Sequence, residues 1–380
     1  MINKEGFLAI DVYNRNETEG RVGLSNRFIR AFTPGLFERG GFPTKVLNEA
    51  ELKRYIDSQH SECFEKYYNV LCRGITTDEK DMMVDLTKTL YQITCDLYES
   101  KFLVKAPVLA ALKCYRVLEA LCEKHNECRV LEVGAGSGIF GAMLLQKGWK
   151  YLCTDVTQAF YLIQNRILNS ISDIKEFGGG CSNENDLEGI CVHIPYWKLW
   201  EYRNKIKNVD IVVCNRALLE MHPNAIRFYL KLSIQAMKES RYGYFVFQGA
   251  GWNVDLKLEE LLELFREYGF KIVYFNRNDE VVVFQTCCND DCYAETIEML
   301  KNKDLIKFDD MYVYGIGNVE KVLTTSYEAI YSESGKKIYS KLREIDLTKK
   351  IKIEELQKEY DKISSEQDSP DEEFAKYIFD

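Results

Sequence analysis

Residues 129–138 read R-V-L-E-V-G-A-G-S-G, and no other stretch restricts the fold of this chain as much. Five residues of strand chemistry run straight into glycines at 134, 136 and 138. The next segment, "IFGAMLLQKG", carries helix-forming residues up to Gly148. Glycine takes left-handed backbone angles without steric cost and lets other groups come close to the main chain. A strand, a glycine turn and a helix in that order open an α/β unit whose turn presents backbone N–H groups at a helix N-terminus.

The following residues keep that rhythm. "KYLCTDV", "GICVHIP", "VDIVVCN" and "YGYFVFQ" read as short buried strands. Between them lie helices such as "QAFYLIQNRILNSI" and "HPNAIRFYLKLSIQAMKES", the latter with Pro223 at its start. "LKLEELLELFREYG" shows an apolar stripe of Leu258, Leu261, Leu262 and Phe265 and ends at Gly269. Then "FKIVYFN" and "EVVVFQT" follow one another across the polar turn "RNDE", with no helix between them. The pattern predicts an α/β fold: a doubly wound, Rossmann-like, seven-stranded, mostly parallel sheet with a terminal antiparallel hairpin.

That domain is expected over 105–288, opened by a helix with Pro107 in its first turn. Residues 1–104 are predicted to be a mainly helical N-terminal region, with a capping box at Thr76 and Glu79. Residues 289–380 form a C-terminal extension. Its charged tail carries a helical stripe of Ile353, Leu356, Tyr360 and Ile363, which suits a docked helix and a solvated one equally. The helical ends are expected to supply a substrate lid or a surface between copies in a homo-oligomer.

Composition narrows the class of partner. Acidic residues outnumber basic ones, 59 to 50, and no dense Lys/Arg run is available to neutralise phosphates, so nucleic acid is not expected to bind. No apolar run approaches the roughly 20 residues that span a bilayer. The start, "MINKEGFLAIDVYNRNETEG", lacks the pattern of a secretory signal. Thirteen cysteines without scaffold spacing read as reduced thiols, which places the protein in the cytoplasm. Cys287, Cys288 and Cys292 cluster in "TCCNDDC", but with no histidine near in sequence they are read as strand-end thiols rather than zinc ligands.

Two ligand classes use such a glycine turn. From Gly136 the string G-S-G-I-F-G fits the dinucleotide fingerprint G-x-G-x-x-G. That register would carry the strand through Gly134 and Ala135, which is poor strand chemistry; starting at Gly134 puts Ile139 where the third glycine belongs. From Glu132 the string E-V-G-A-G-S-G fits the turn of S-adenosylmethionine enzymes without conflict. Glu132 would be a costly carboxylate in an apolar strand if it were idle. Asp155, at the end of the second strand, stands where an acidic residue accepts ribose hydroxyls.

On these residues the chain resembles the class I S-adenosylmethionine-dependent methyltransferases over about residues 105–288. The resemblance implies S-adenosyl-L-methionine as cofactor. Gly134, Gly136 and Gly138 would line its methionine part, and Glu132 would support the amino group through the loop. The Ile194-Pro195-Tyr196-Trp197 stretch and the Glu220-Met221 pair are further similar to the sugar O-methyltransferases of bacterial surface-polysaccharide loci. Tyr196 stands where those proteins tend to have a second proline. The implied activity is methyl transfer to a hydroxyl of a sugar or sugar-containing intermediate of glycan biosynthesis. The alternatives are another small metabolite with an O- or N-acceptor, or a non-catalytic cofactor-binding interaction protein.

Attack by an alcohol needs a base within hydrogen-bond reach, and Glu220 and His222 are both candidates. His222 also precedes Pro223 at a helix start, where it would serve as a cap. Asn215 holds the exit of the fourth strand, on the cofactor side. No Pro-Pro-aromatic follows it, which argues against amino-group methylation. Arg216 is a candidate for an acidic group on the substrate and equally a solvated surface residue. Trp197 and Trp252 offer flat faces for a sugar ring, or serve as core. No metal is expected, since Asp210 lies at the wrong end of its strand to join a carboxylate cluster. His60, His125 and His193 receive no role.

Overall fold

The computed structural model describes residues 6–35, 44–59, 74–98, 103–122, 124–179, 183–240, 242–248, 256, 258–276, 281–286, 328–330, 333–343 and 351–365. Trp252 and the cysteines of "TCCNDDC" lie outside them. Strand β1 (Arg129–Val133), buried at every position, runs parallel between β2 (Lys150–Thr154) and β5 (Ile211–Asn215). On the β2 side come β4 (Cys191–His193) and the edge strand β3 (Ile174–Glu176), both parallel. On the β5 side lies β6 (Tyr244–Gln248), parallel and in register so that Asn215 faces Gln248. The hairpin of β7 (Phe270–Asn276) and β8 (Val281–Thr286) inserts β8 between β6 and β7, antiparallel to both. β9 (Glu328–Ile330) adds an antiparallel edge on β7, giving the order β3-β4-β2-β1-β5-β6-β8-β7-β9.

All seven expected strands are therefore present, hairpin included. The two additional strands are three residues long, too short to show a period in sequence. β9 also ties the C-terminal extension into the sheet.

Strand order reverses at β1, so right-handed crossovers place the helices that connect the two halves of the sheet on opposite faces. One face carries α5 (Ala106–Leu121), α6 (Ile139–Gln146) and α7 (Gln158–Ile171), packed side by side. The other carries α9 (Pro223–Ala236) after β5, and α8 (Tyr196–Tyr202) and α10 (Leu258–Glu267) complete the α/β units. The N-terminal region supplies α1 (Ile10–Arg21), α2 (Asn26–Ala31), α3 (Glu49–Gln59) and α4 (Thr77–Tyr98). These dock on α8, α9, α7 and the α5–α6–α7 layer respectively. The expected capping box closes α4: Thr76 N–H donates to Glu79 Oε2 at 2.8 Å, and Glu79 N–H to Thr76 Oγ1 at 3.3 Å.

Two tail helices, α11 (Glu333–Arg343) and α12 (Ile353–Ser365), pack on α5 and α4. Leu356, Tyr360 and Ile363 are buried there, and Ile351 N–H bonds Ile75 O at 2.7 Å. The docked reading of the tail holds. Cys122 and Cys128 lie side by side across the link from α5 to β1, and Cys95, Cys114, Cys153, Cys191 and Cys214 are free. No helix among the described residues is long and apolar enough to cross a membrane.

Candidate functional site

The glycine turn leaves β1 at the carboxyl end of the sheet, at the point where strand order reverses. Its three glycines all have left-handed φ, +70° at 134, +55° at 136 and +75° at 138, but they make room for different things. A Cβ on Gly134 would meet Ala217 Cβ at 2.4 Å, and one on Gly138 would meet Gln164 Cγ at 3.1 Å. A Cβ on Gly136 would point into open space. Gly134 and Gly138 therefore serve the protein's own packing, and Gly136 is the position that leaves an opening above the turn.

Glu132 sits just below, 1 % exposed. The Tyr151 hydroxyl donates to its Oε2 at 2.5 Å and the Asn215 amide to its Oε1 at 2.8 Å. Burial pushes its carboxyl up to about 8, against the pull of those two hydrogen bonds. Tyr151 keeps its place because Gly141 on α6 has no side chain: a Cβ there would lie 2.3 Å from the Tyr151 ring.

Asp155 is turned beneath the turn. Its Oδ2 accepts from Gly136 N–H at 2.9 Å and from Gln164 Nε2 at 3.3 Å, and its Oδ1 accepts from Thr157 N–H at 2.8 Å. Burial raises the carboxyl to about 6, in spite of these donors. Its oxygens brace the loop, a role the sequence did not suggest. Its charge also raises the hydroxyls of Tyr13, Tyr55 and Tyr229, after burial as the first cause in each case. Helices α1, α3 and α9 thus converge on the carboxyl end of β2.

On the β5 side, Asn215 Oδ1 and its register neighbour Gln248 Oε1 are buried acceptors without a hydrogen-bond partner among the described residues. Arg216 is exposed and adopts φ +61°, and its N–H donates to Gln248 O at 2.6 Å. That left-handed residue bends the chain back over the strand ends into the 3-10 turn Ala217–Leu219. Glu220 follows, half-buried, and its charge helps raise the Tyr55 hydroxyl and the Cys214 thiol.

His222 caps α9: its Nδ1 accepts from Asn224 N–H at 3.0 Å. That cap engages the Nδ1 lone pair. Trp197 is 2 % exposed, edge-on to Tyr13 at 4.8 Å and pressed against the backbone of Gly20. It packs α1 on α8 and presents no open face to a ring. Asp210 lies at the amino end of β5, where its carboxylate accepts from Arg129 N–H and the Ser240 hydroxyl.

Tyr151, Gln164 and His193 belong to this site and carried no motif.

No family model matches the chain, and no curated protein matches it. The fold is similar to those of solved methyltransferases. One is a TehB-like SAM-dependent methyltransferase from Corynebacterium glutamicum, 16% identical, with a TM-score of 0.35 over 47% of this chain and 86% of that one. A second is magnesium protoporphyrin IX methyltransferase from Synechocystis with bound SAM: 12% identity, TM-score 0.30, 63% of this chain and 96% of that one. A third is DhpI in complex with SAH: 12% identity, TM-score 0.33, 55% and 99%.

Proposed function

We propose that this chain is an S-adenosylmethionine-dependent O-methyltransferase whose acceptor is a hydroxyl of a sugar or sugar-containing intermediate of glycan biosynthesis. The observation that carries the cofactor reading is the glycine turn at the reversal of strand order, open only above Gly136 and underlaid by two buried carboxyls, Glu132 and Asp155. These residues fit the group. Gly136 gives it room, the buried Asn215 Oδ1, unpartnered among the described residues, offers an acceptor to an ammonium, and Glu132 needs only a nearby positive charge to ionise. Bound there, S-adenosylmethionine supplies a methyl group already activated on a sulfonium.

The protein's part is then to orient the acceptor and remove its proton. Glu220 is the base in this reading. It is half-buried at the strand ends, whereas His222 spends its lone pair on the α9 cap. Arg216, one turn before it and exposed, is placed to meet an acidic group on the substrate. The saccharide class rests on the Ile194–Trp197 and Glu220–Met221 stretches, not on an indole platform, since Trp197 is core.

Calorimetric titration with S-adenosylhomocysteine, with NAD as control, tests the cofactor. Micromolar binding of the first and none of the second is expected; NAD binding alone would sink the proposal. Mass-spectrometric screening of sugars, amines and carboxylates for a gained methyl group then tests the acceptor class.

A further inference from the structure

Beneath the glycine turn runs a buried hydrogen-bond relay that methyl transfer itself does not require. Gln164, fully buried on α7, donates through Nε2 to Gly136 O at 2.6 Å and to Asp155 Oδ2 at 3.3 Å. Two acceptors fix which end of the amide faces the turn, so Oε1 is the atom 2.9 Å from His193 Nε2. An amide oxygen only accepts, and that ring nitrogen therefore carries a proton. The other ring nitrogen, Nδ1, lies 2.8 Å from Glu176 Oε2.

Glu176 is surrounded by donors: the Tyr161 hydroxyl and Gly178 N–H reach Oε1, and the Asn165 amide reaches Oε2. Burial works to raise its carboxyl, but the His193 charge and these hydrogen bonds outweigh it and hold it below the usual range. His193 is thus fully buried, bridges Gln164 and Glu176 through its two ring nitrogens, and stacks on Tyr161 at 3.6 Å.

We propose that His193 is a positioning residue for the cofactor: held by Glu176 through Nδ1, it donates from Nε2 to Gln164 Oε1 and locks that amide in the one orientation that clamps both Gly136 and Asp155. The clamp holds Gly136 in its left-handed conformation, with the space above it open. This inference rests on reading the turn as the S-adenosylmethionine site. The same group of residues also anchors the N-terminal region. Leu8 N–H donates to Asn165 Oδ1 at 2.8 Å, and Asn16 donates to Gly178 O at 2.7 Å. Ordering of the turn and docking of α1 therefore share one set of hydrogen bonds.

The test uses the full chain and S-adenosylhomocysteine as the probe. Gln164→Glu is nearly isosteric but sets a carboxylate oxygen against Gly136 O and Asp155. It is expected to weaken binding about tenfold or more, with unfolding still cooperative. Gln164→Met, which deletes the clamp without adding charge, carries the same expectation should the first variant not fold. Ring-nitrogen spectra of the unsubstituted protein read its four histidines directly. The His193 ring signals are expected to show a proton on Nε2 and to move on ligand addition although His193 does not face the opening. Unchanged affinity in both variants, or His193 signals that do not respond to the ligand, overturns the proposal and leaves the cofactor reading standing. An unsubstituted protein that does not bind overturns both.

Discussion

At the scale of single residues, the turn separates positions that look alike in sequence. Gly136→Ala costs only the left-handed strain of about 1–2 kcal/mol, because its Cβ meets nothing within 4 Å. The folded variant is expected to lose S-adenosylhomocysteine binding in calorimetry, since the methyl fills the opening. Gly134→Ala adds to the same strain a 2.4 Å clash with Ala217, and a fall of several degrees in thermal midpoint is expected. The base assignment divides in the same way. Glu220→Gln is expected to slow turnover of whichever acceptor is found by about a hundredfold or more while leaving cofactor affinity unchanged. His222→Ala is expected to cost about 1 kcal/mol of stability by chemical denaturation, as a lost helix cap, with turnover little affected. Residue types were legible in sequence at these positions; what each faces was not. Asp155 and Trp197 show the gap most plainly. The one braces the loop that precedes it in the chain, and the other is covered by a helix about 180 residues away.

At the scale of elements, sequence periodicity located the helices and strands because each buries one face against the sheet. It could not tell whether the tail helix α12 docks, since a stripe of four apolar residues serves a partner surface and an intramolecular one alike. Burial of Leu356, Tyr360 and Ile363 on α4 answers that. Leu356→Ala is expected to cost about 2–5 kcal/mol, and hydrogen exchange should then report faster opening of α4 as well as of α12. The α1–α8 contact is equally specific. A Cβ on Gly20 would fall 2.2 Å from Trp197 Cδ1, so Gly20→Ala is expected to loosen the N-terminal helix. Proteolysis near the N-terminus would detect this before global unfolding does.

For the whole molecule, the buried carboxyls set a pH dependence with a definite sign. Glu132 keeps its proton up to about pH 8 in the folded state but loses it near 4.5 when unfolded. Between those values the folded state binds more protons, so its contribution falls as pH rises, by up to about 1.4 kcal/mol per unit. Asp155 acts in the same direction between 3.8 and about 6. Glu79 and Glu176, both held low, act in the opposite direction and only below about 4.5. The thermal midpoint of the ligand-free protein is expected to decline from pH 6 to 8, and Glu132→Gln to flatten that decline. An unchanged slope in the variant would mean that Glu132 is ionised throughout. The sequence by itself determined the order of strands and helices along the chain, the glycine turn and the closing hairpin, because hydrophobic period and glycine placement are local properties. Only the tertiary structure decided which glycine opens to a ligand, which carboxyl braces the turn, and that His193 is buried beneath it against Gln164, because those depend on neighbours far away in the chain.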